Sequence, residues 1–158
     1  MFREVARKKQ AIPREECIQI LKDTKRGVLS VNGDGGYPYG MPINHYYNED
    51  DGLIYFHSGK KGHRTDSFRA DGRASYCVYD DGVSEDGSWV LHFRSVIVFG
   101  RIEEITDTES IYDISRKLCY KFTDDEDFIE HHIETYGPAT LMFVLRPEHI
   151  TGKKVKEE

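Results

Sequence analysis

The chain of 158 residues has little cysteine: Cys17, Cys77 and Cys119 are its only thiols. They are odd in number, far apart in sequence, and lack the paired spacings of zinc or dithiol sites, so they read as reduced thiols rather than a disulfide or metal framework. Long apolar runs are missing too. With 38% apolar and 32% charged residues, no stretch is suited to spanning a bilayer, and the composition is that of a folded domain rather than a disordered chain. A positive excess is also absent. The net charge of -6 argues against a broad nucleic-acid or anionic-lipid face. The segment MFREVARKKQ is charged from its third residue and offers no apolar core of the signal-peptide kind. The expectation is a soluble, cytoplasmic protein with no nucleic-acid and no membrane partner.

Several chemical signatures are absent as well. There is no GxxxxGK[ST] phosphate loop, no GxGxxG fingerprint and no HExxH zinc motif. The acidic turns NEDD, DDGVSED and DDED lack the calcium-loop spacing and read as solvated loops. Glu130, His131, His132 and Glu134 invite a metal reading, but adjacent helical residues point about 100° apart. A solvated helix face accounts for them better, and no metal site is expected. No hydrolase triad is legible from spacing, because such triads are defined by geometry.

What is present fits a single domain, 1–158, with residues 1–12 and 153–158 expected at its periphery. In REECIQILKD, Cys17, Ile20 and Leu21 fall at i, i+3 and i+4, an apolar stripe on a short helix led by Pro13. GVLSVN, YPYGMPINHYY and LIYFH read as three strands of an antiparallel meander over 28–57. Pro38 and Pro42 place the middle run at an edge, at a bulge or along a ligand. HRTDSFRAD reads as a helix of about two turns stopped at Gly72, and RASYCVYD as a strand. WVLHFRSVIVFGRIEEI is the longest β-favouring run, with Gly100 as a bulge or bend. Thr106 with Glu109, and Thr123 with Glu126, have capping-box spacing before two further helices. TLMFVLR is a last strand ended by Pro147, followed by the charged tail ITGKKVKEE. Without regular βα alternation, the fold class is mainly β (α+β), an antiparallel barrel or sheet with peripheral helices.

The stretch FHSGKKGHR, from Phe56 to Arg64, concentrates cationic and glycine residues between a strand and a helix. A phosphate is best held by several donors at once: backbone amides at a helix start, a hydroxyl and cationic side chains. Ser58 supplies a hydroxyl, Gly59 and Gly62 let the backbone turn, and Lys60, Lys61 and Arg64 supply charge, with His63 at the helix start. The same composition also suits a solvated turn, and residue chemistry alone leaves both readings open.

Four segments in order carry a resemblance: GYPYGMPINHYY, GLIYFHSGKKGHRTDSFRADGRASYCV, FRSVIVFGRIEEITDTES and ITGKK. The chain resembles the flavin-binding split-barrel superfamily of the pyridoxamine 5'-phosphate oxidases, and within it the nitroimidazole-resistance (Nim) family. The resemblance implies a split β-barrel forming a homodimer, with FMN in clefts between the subunits. It implies that Met41, Pro42, Ile43 and Asn44 run along the isoalloxazine ring. His57 and Ser58 would lie near the ribityl chain and phosphate, and Lys60, Lys61, His63 and Arg64 would neutralise the phosphate. Ser95 and Val96 would border the flavin from a neighbouring strand or from the partner subunit. No catalytic residue is implied, because the flavin carries the redox chemistry. The implied activity is an FMN-dependent oxidoreductase of the nitroimidazole-reductase type, with NADH or NADPH as donor. The alternatives are a pyridoxamine 5'-phosphate oxidase and a non-catalytic flavin- or haem-binding module, the latter with His45, His57 or His63 as the ligands to test.

Overall fold

The computed structural model describes residues 1–84 and 86–157, with the backbone alone at residue 157. Eight strands form one sheet, β1 (Arg26–Asn32), β2 (Pro38–Asn44), β3 (Tyr46–Asn48), β4 (Leu53–Gly59), β5 (Arg73–Tyr79), β6 (Val83–Ser84), β7 (Leu91–Ile105) and β8 (Thr140–Glu157). Their order is β2-β1-β5-β7-β8-β4-β3, with β6 paired to β7, and every pairing is antiparallel. Among the described residues four α-helices accompany it: α1 (Arg14–Asp23), α2 (His63–Ala70), α3 (Thr108–Tyr120) and α4 (Glu126–Tyr136). The mainly β, split-barrel expectation is what the chain adopts.

Period-two burial builds the core. In β1, Gly27, Leu29 and Val31 are buried while Arg26 and Val28 are exposed. The inner face joins Leu29, Val31, Phe56, Tyr76, Val98, Phe143 and Leu145, and Cys17, Ile20 and Leu21 of α1 pack onto it. Each fully buried Leu, Ile or Phe there contributes about 1.5–3 kcal/mol. A smaller cluster of Leu53, Tyr55, Met142, Val144 and Ile114 seats α3 on the opposite side of β4 and β8.

Four local expectations need correction. The meander over 28–57 breaks at His45: β2 pairs only with β1, while β4 pairs with β3 and β8. The cause is a kink in which the His45 amide bonds to the Lys25 carbonyl at 3.2 Å and its ring turns into the core. The proline-bearing β2 does lie at the sheet edge. The last strand continues past Pro147, which pairs with Gly100 directly beside a register shift that leaves Glu148 without a partner, the kind of irregularity at which a strand tolerates proline. Residues 153–157 therefore extend β8 along β7. The two capping boxes give way to aspartate caps one and two residues further on. Asp107 accepts from the Ser110 amide at 2.9 Å, and Asp125 from the Phe128 amide at 3.0 Å, as a short carboxylate at this position does well.

Candidate functional site

The segment joining β4 to α2 is where charge, glycine and open space meet. β4 ends at Gly59, and α2 begins at His63 behind Gly62, whose φ of 133° is a glycine conformation and which offers the helix start no side-chain cap. Side chains added at Gly59 or Gly62 would meet nothing within 4 Å, so the space over both is open. α2 is fixed by burying Thr65, Ser67 and Phe68, with the Phe68 ring 4.9 Å from that of Phe143. That burial aims the first turn at the loop.

Arg64 is the most informative group. It is half-buried, its Nε is enclosed without a hydrogen-bond partner among the described residues, and the Ser67 Oγ, one turn on along the same helix face, is likewise enclosed and unpartnered. Burial depresses the Arg64 pKa, with nearby Tyr39 opposing. A half-buried guanidinium with an enclosed Nε left unpaired among the described residues is a group that a nearby anion would stabilise.

The neighbours are mostly tied to the scaffold. The Ser58 hydroxyl donates to the Gly59 carbonyl at 2.9 Å. The Lys60 Nζ donates to the Pro138 carbonyl at 2.6 Å, bringing the end of α4 against the loop. His63 stacks on Tyr39 with centroids 4.0 Å apart, and its Nε2 accepts from the Asp34 amide at 3.5 Å. Lys61 is exposed. His57 presents its ring at the surface, yet crowding protein atoms lower its pKa, helped by His132 and Arg64.

Six of the twelve sequence-predicted residues thus gather here: His57, Ser58, Lys60, Lys61, His63 and Arg64. The others lie elsewhere. Met41 and Ile43 turn their side chains into the core, and Val96 is sealed in it. Pro42 is exposed on the edge strand, and the Asn44 Oδ1 accepts from the Arg26 Nε at 2.8 Å. Ser95 pairs with Lys153 on β8, whereas Ser58 pairs with Leu141. That separation along β8 is roughly 40 Å of extended chain.

Sequence reasoning missed three features. Tyr39 and Asp34, which brace His63, come from a hairpin whose contact with α2 has no sequence signal. The outer face of β1, β5 and β7 holds an open groove of about 530 Å³ lined by Ser30, Asn32, Pro38, Arg73, Ser75 and Phe99. Its only trace in the sequence is the alternation that leaves Val28, Ile97 and Phe99 exposed. His45, weighed as a haem ligand, is instead a core residue with no exposed surface. Its Nε2 lies 2.6 Å from the Leu21 carbonyl and its Nδ1 2.5 Å from the Tyr76 hydroxyl.

An antiparallel half-barrel that opens a glycine-rich cationic loop at a strand-to-helix junction defines a small split-barrel class of protein. The sequence model of the pyridoxamine 5'-phosphate oxidase family matches residues 13–154, and the chain belongs to that family. Solved structures agree on the fold. One, from Bacteroides thetaiotaomicron and provisionally described as a 5-nitroimidazole antibiotic resistance protein, is 18% identical with a TM-score of 0.74, over 92% of this chain and 87% of that one. A FAD-binding protein from Mesorhizobium loti is 23% identical with a TM-score of 0.66, over 92% and 97%. The FAD-binding protein of Mycobacterium smegmatis is 17% identical with a TM-score of 0.67, over 94% and 99%. No curated protein matches the sequence.

Proposed function

We propose that the chain is a flavin-dependent oxidoreductase of the nitroimidazole-reductase type, holding the phosphate of FMN on residues 58–64. The observation that carries this reading is the enclosed, unpartnered Arg64 Nε, beside glycines with open space above them, in a chain of the pyridoxamine 5'-phosphate oxidase family. The residues fit the group. Arg64 and Lys61 would supply charge, the uncapped start of α2 would supply amides, and Ser58 would supply a hydroxyl on turning from the Gly59 carbonyl. A bound flavin would supply the redox chemistry between a nicotinamide donor, NADH or NADPH, and a small acceptor. The protein's part is to hold the phosphate, orient the ring and exclude water.

We further propose a homodimer in which Ser95 of a second copy approaches the cofactor. The exposed Val28, Ile97 and Phe99 form the kind of apolar sheet face that such a copy covers. Titration of the protein with FMN, followed by flavin fluorescence, tests the assignment. In Lys61→Ala/Arg64→Ala each lost charge-assisted contact weakens binding by about 1.5–3 kcal/mol. Unchanged FMN affinity in that double variant removes the phosphate assignment. Anaerobic bleaching of the bound flavin by NADH or NADPH tests the enzyme reading, and no bleaching with either would leave a carrier of flavin.

A further inference from the structure

The tip of the β1–β2 hairpin closes on the start of α2, and it offers the His63 ring two partners that suit opposite protonation states. The Asp34 amide donates to the His63 Nε2 at 3.5 Å, which needs that nitrogen bare and the ring neutral. The Asp34 carboxylate stands 3.7 Å from the same nitrogen, a pairing that needs Nε2 to carry a proton and the ring its charge. One nitrogen cannot serve both. Tyr39, on the far arm of the hairpin, stacks on the ring with centroids 4.0 Å apart and so holds its plane. The turn itself is closed by the Gly33 amide donating to the Tyr37 carbonyl at 2.9 Å. Inside it Gly35 and Gly36 take φ of 65° and 79°, and a side chain at Gly36 would meet nothing within 4 Å. Asp34 is thus carried on a glycine tip with room to exchange its amide for its carboxylate.

The two states differ by one positive charge at the start of α2. His63 is the first residue of that helix, where the helix dipole disfavours a cation. Arg64 follows it on α2, Lys60 and Lys61 precede it in the loop, and His57 ends the run on β4, so its own segment is already cationic. The opposing carboxylates are Asp66, one turn on and exposed, and Asp34 across the hairpin, where Tyr39 adds only a phenol. Without an anion, the neutral ring accepting from the Asp34 amide is the state that avoids crowding cations. A phosphate monoester on the loop adds nearly two negative charges beside a side chain that takes up a proton readily between pH 5 and 8. Nδ1–H would then face the phosphate while Nε2–H faces the Asp34 carboxylate.

We propose that Asp34 is a positioning residue for the cofactor phosphate: it exchanges its amide contact for a carboxylate contact as His63 takes a proton from solvent, so that flavin binding is coupled to proton uptake. This rests on the reading of residues 58–64 as a phosphate cradle. Calorimetry of FMN binding at pH 7.5, in buffers of differing ionisation enthalpy, counts the protons. The free phosphate is already a dianion at that pH, so uptake reports on the protein. Wild type takes up about 0.5–1 proton per flavin and, by linkage, binds FMN about three- to tenfold more tightly at pH 7 than at pH 8. Asp34→Asn keeps the amide and removes the carboxylate. Its side chain is 96% exposed, so the fold survives, while proton uptake falls below half the wild-type value and the pH dependence flattens. His63→Asn abolishes uptake. Wild-type uptake persisting in Asp34→Asn overturns the role of Asp34, and uptake persisting in His63→Asn overturns His63 as the acceptor. FMN binding without uptake in wild type overturns the coupling and leaves the cradle intact. Failure of wild type to bind FMN overturns the cradle, and the coupling with it.

Discussion

Replacing His45 by Leu should change how stability depends on pH, and the size of the change follows from its surroundings. A carbonyl cannot donate, so the 2.6 Å contact with Leu21 fixes the proton on Nε2. Nδ1 is then the acceptor for the Tyr76 hydroxyl, whose second acceptor, the Ile43 carbonyl, lies at 3.1 Å. Burial, with Lys121 adding to it and the bond to Leu21 opposing, lowers the His45 pKa from 6.5 to about 3. The unfolded chain therefore takes up a proton as pH falls past 6.5, whereas the folded chain resists until about pH 3. The stability tied to the neutral ring is complete above pH 6.5 and erodes below it, by up to about 1.4 kcal/mol per pH unit. At pH 7 His45→Leu strands the Leu21 carbonyl and costs about 1–3 kcal/mol. Between pH 6.5 and 5 wild type loses about 2 kcal/mol through this histidine, and the variant does not. Urea unfolding at pH 7 and pH 5 should show the gap between the two proteins narrowing by that amount. A gap that is constant with pH would refute the neutral, doubly bonded histidine.

Three further perturbations separate scaffold from site. Gly100→Ala drives a Cβ into the Arg146 carbonyl oxygen, so thermal or urea unfolding should show a loss of about 1–3 kcal/mol, flavin or no flavin. Gly59→Ala meets open space, so stability should change by no more than about 0.5 kcal/mol, while FMN binding weakens because the methyl intrudes on the cradle. Arg64→Met removes a half-buried guanidinium whose Nε has no partner among the described residues, so the flavin-free protein should be as stable as wild type or more so. Added FMN should then raise its Tm less than it raises that of wild type. A lower Tm for flavin-free Arg64→Met would show that Arg64 is a packing residue rather than a waiting ligand.

Local patterns in the sequence were legible where one residue's neighbours decided its fate. The α1 stripe of Cys17, Ile20 and Leu21 is buried, Gly100 marks the bulge, and the cationic loop sits between strand and helix at residues 59–63. Pairing across the sheet was not legible. The kink at His45 splits one β-favouring run into β2 and β3 because of contacts with Lys25, Leu21 and Tyr76, which lie far off in sequence. The charged tail gave no strand signal because its ladder partner, β7, supplies the reason it is extended. In the site, composition identified the loop. It did not show that the Arg64 Nε would be enclosed without a partner among the described residues while His63 would be occupied with Tyr39 and Asp34, because those differences arise from how α2 packs.

The central claim is that residues 58–64 cradle a flavin phosphate. The most direct measurement is the visible spectrum of the purified protein during titration with FMN, followed by release and identification of the bound chromophore. The account predicts flavin absorption bands shifted from those of free FMN and reaching one flavin per chain. An unchanged free-FMN spectrum at every ratio, with no chromophore released, would contradict it and return FHSGKKGHR to a solvated turn.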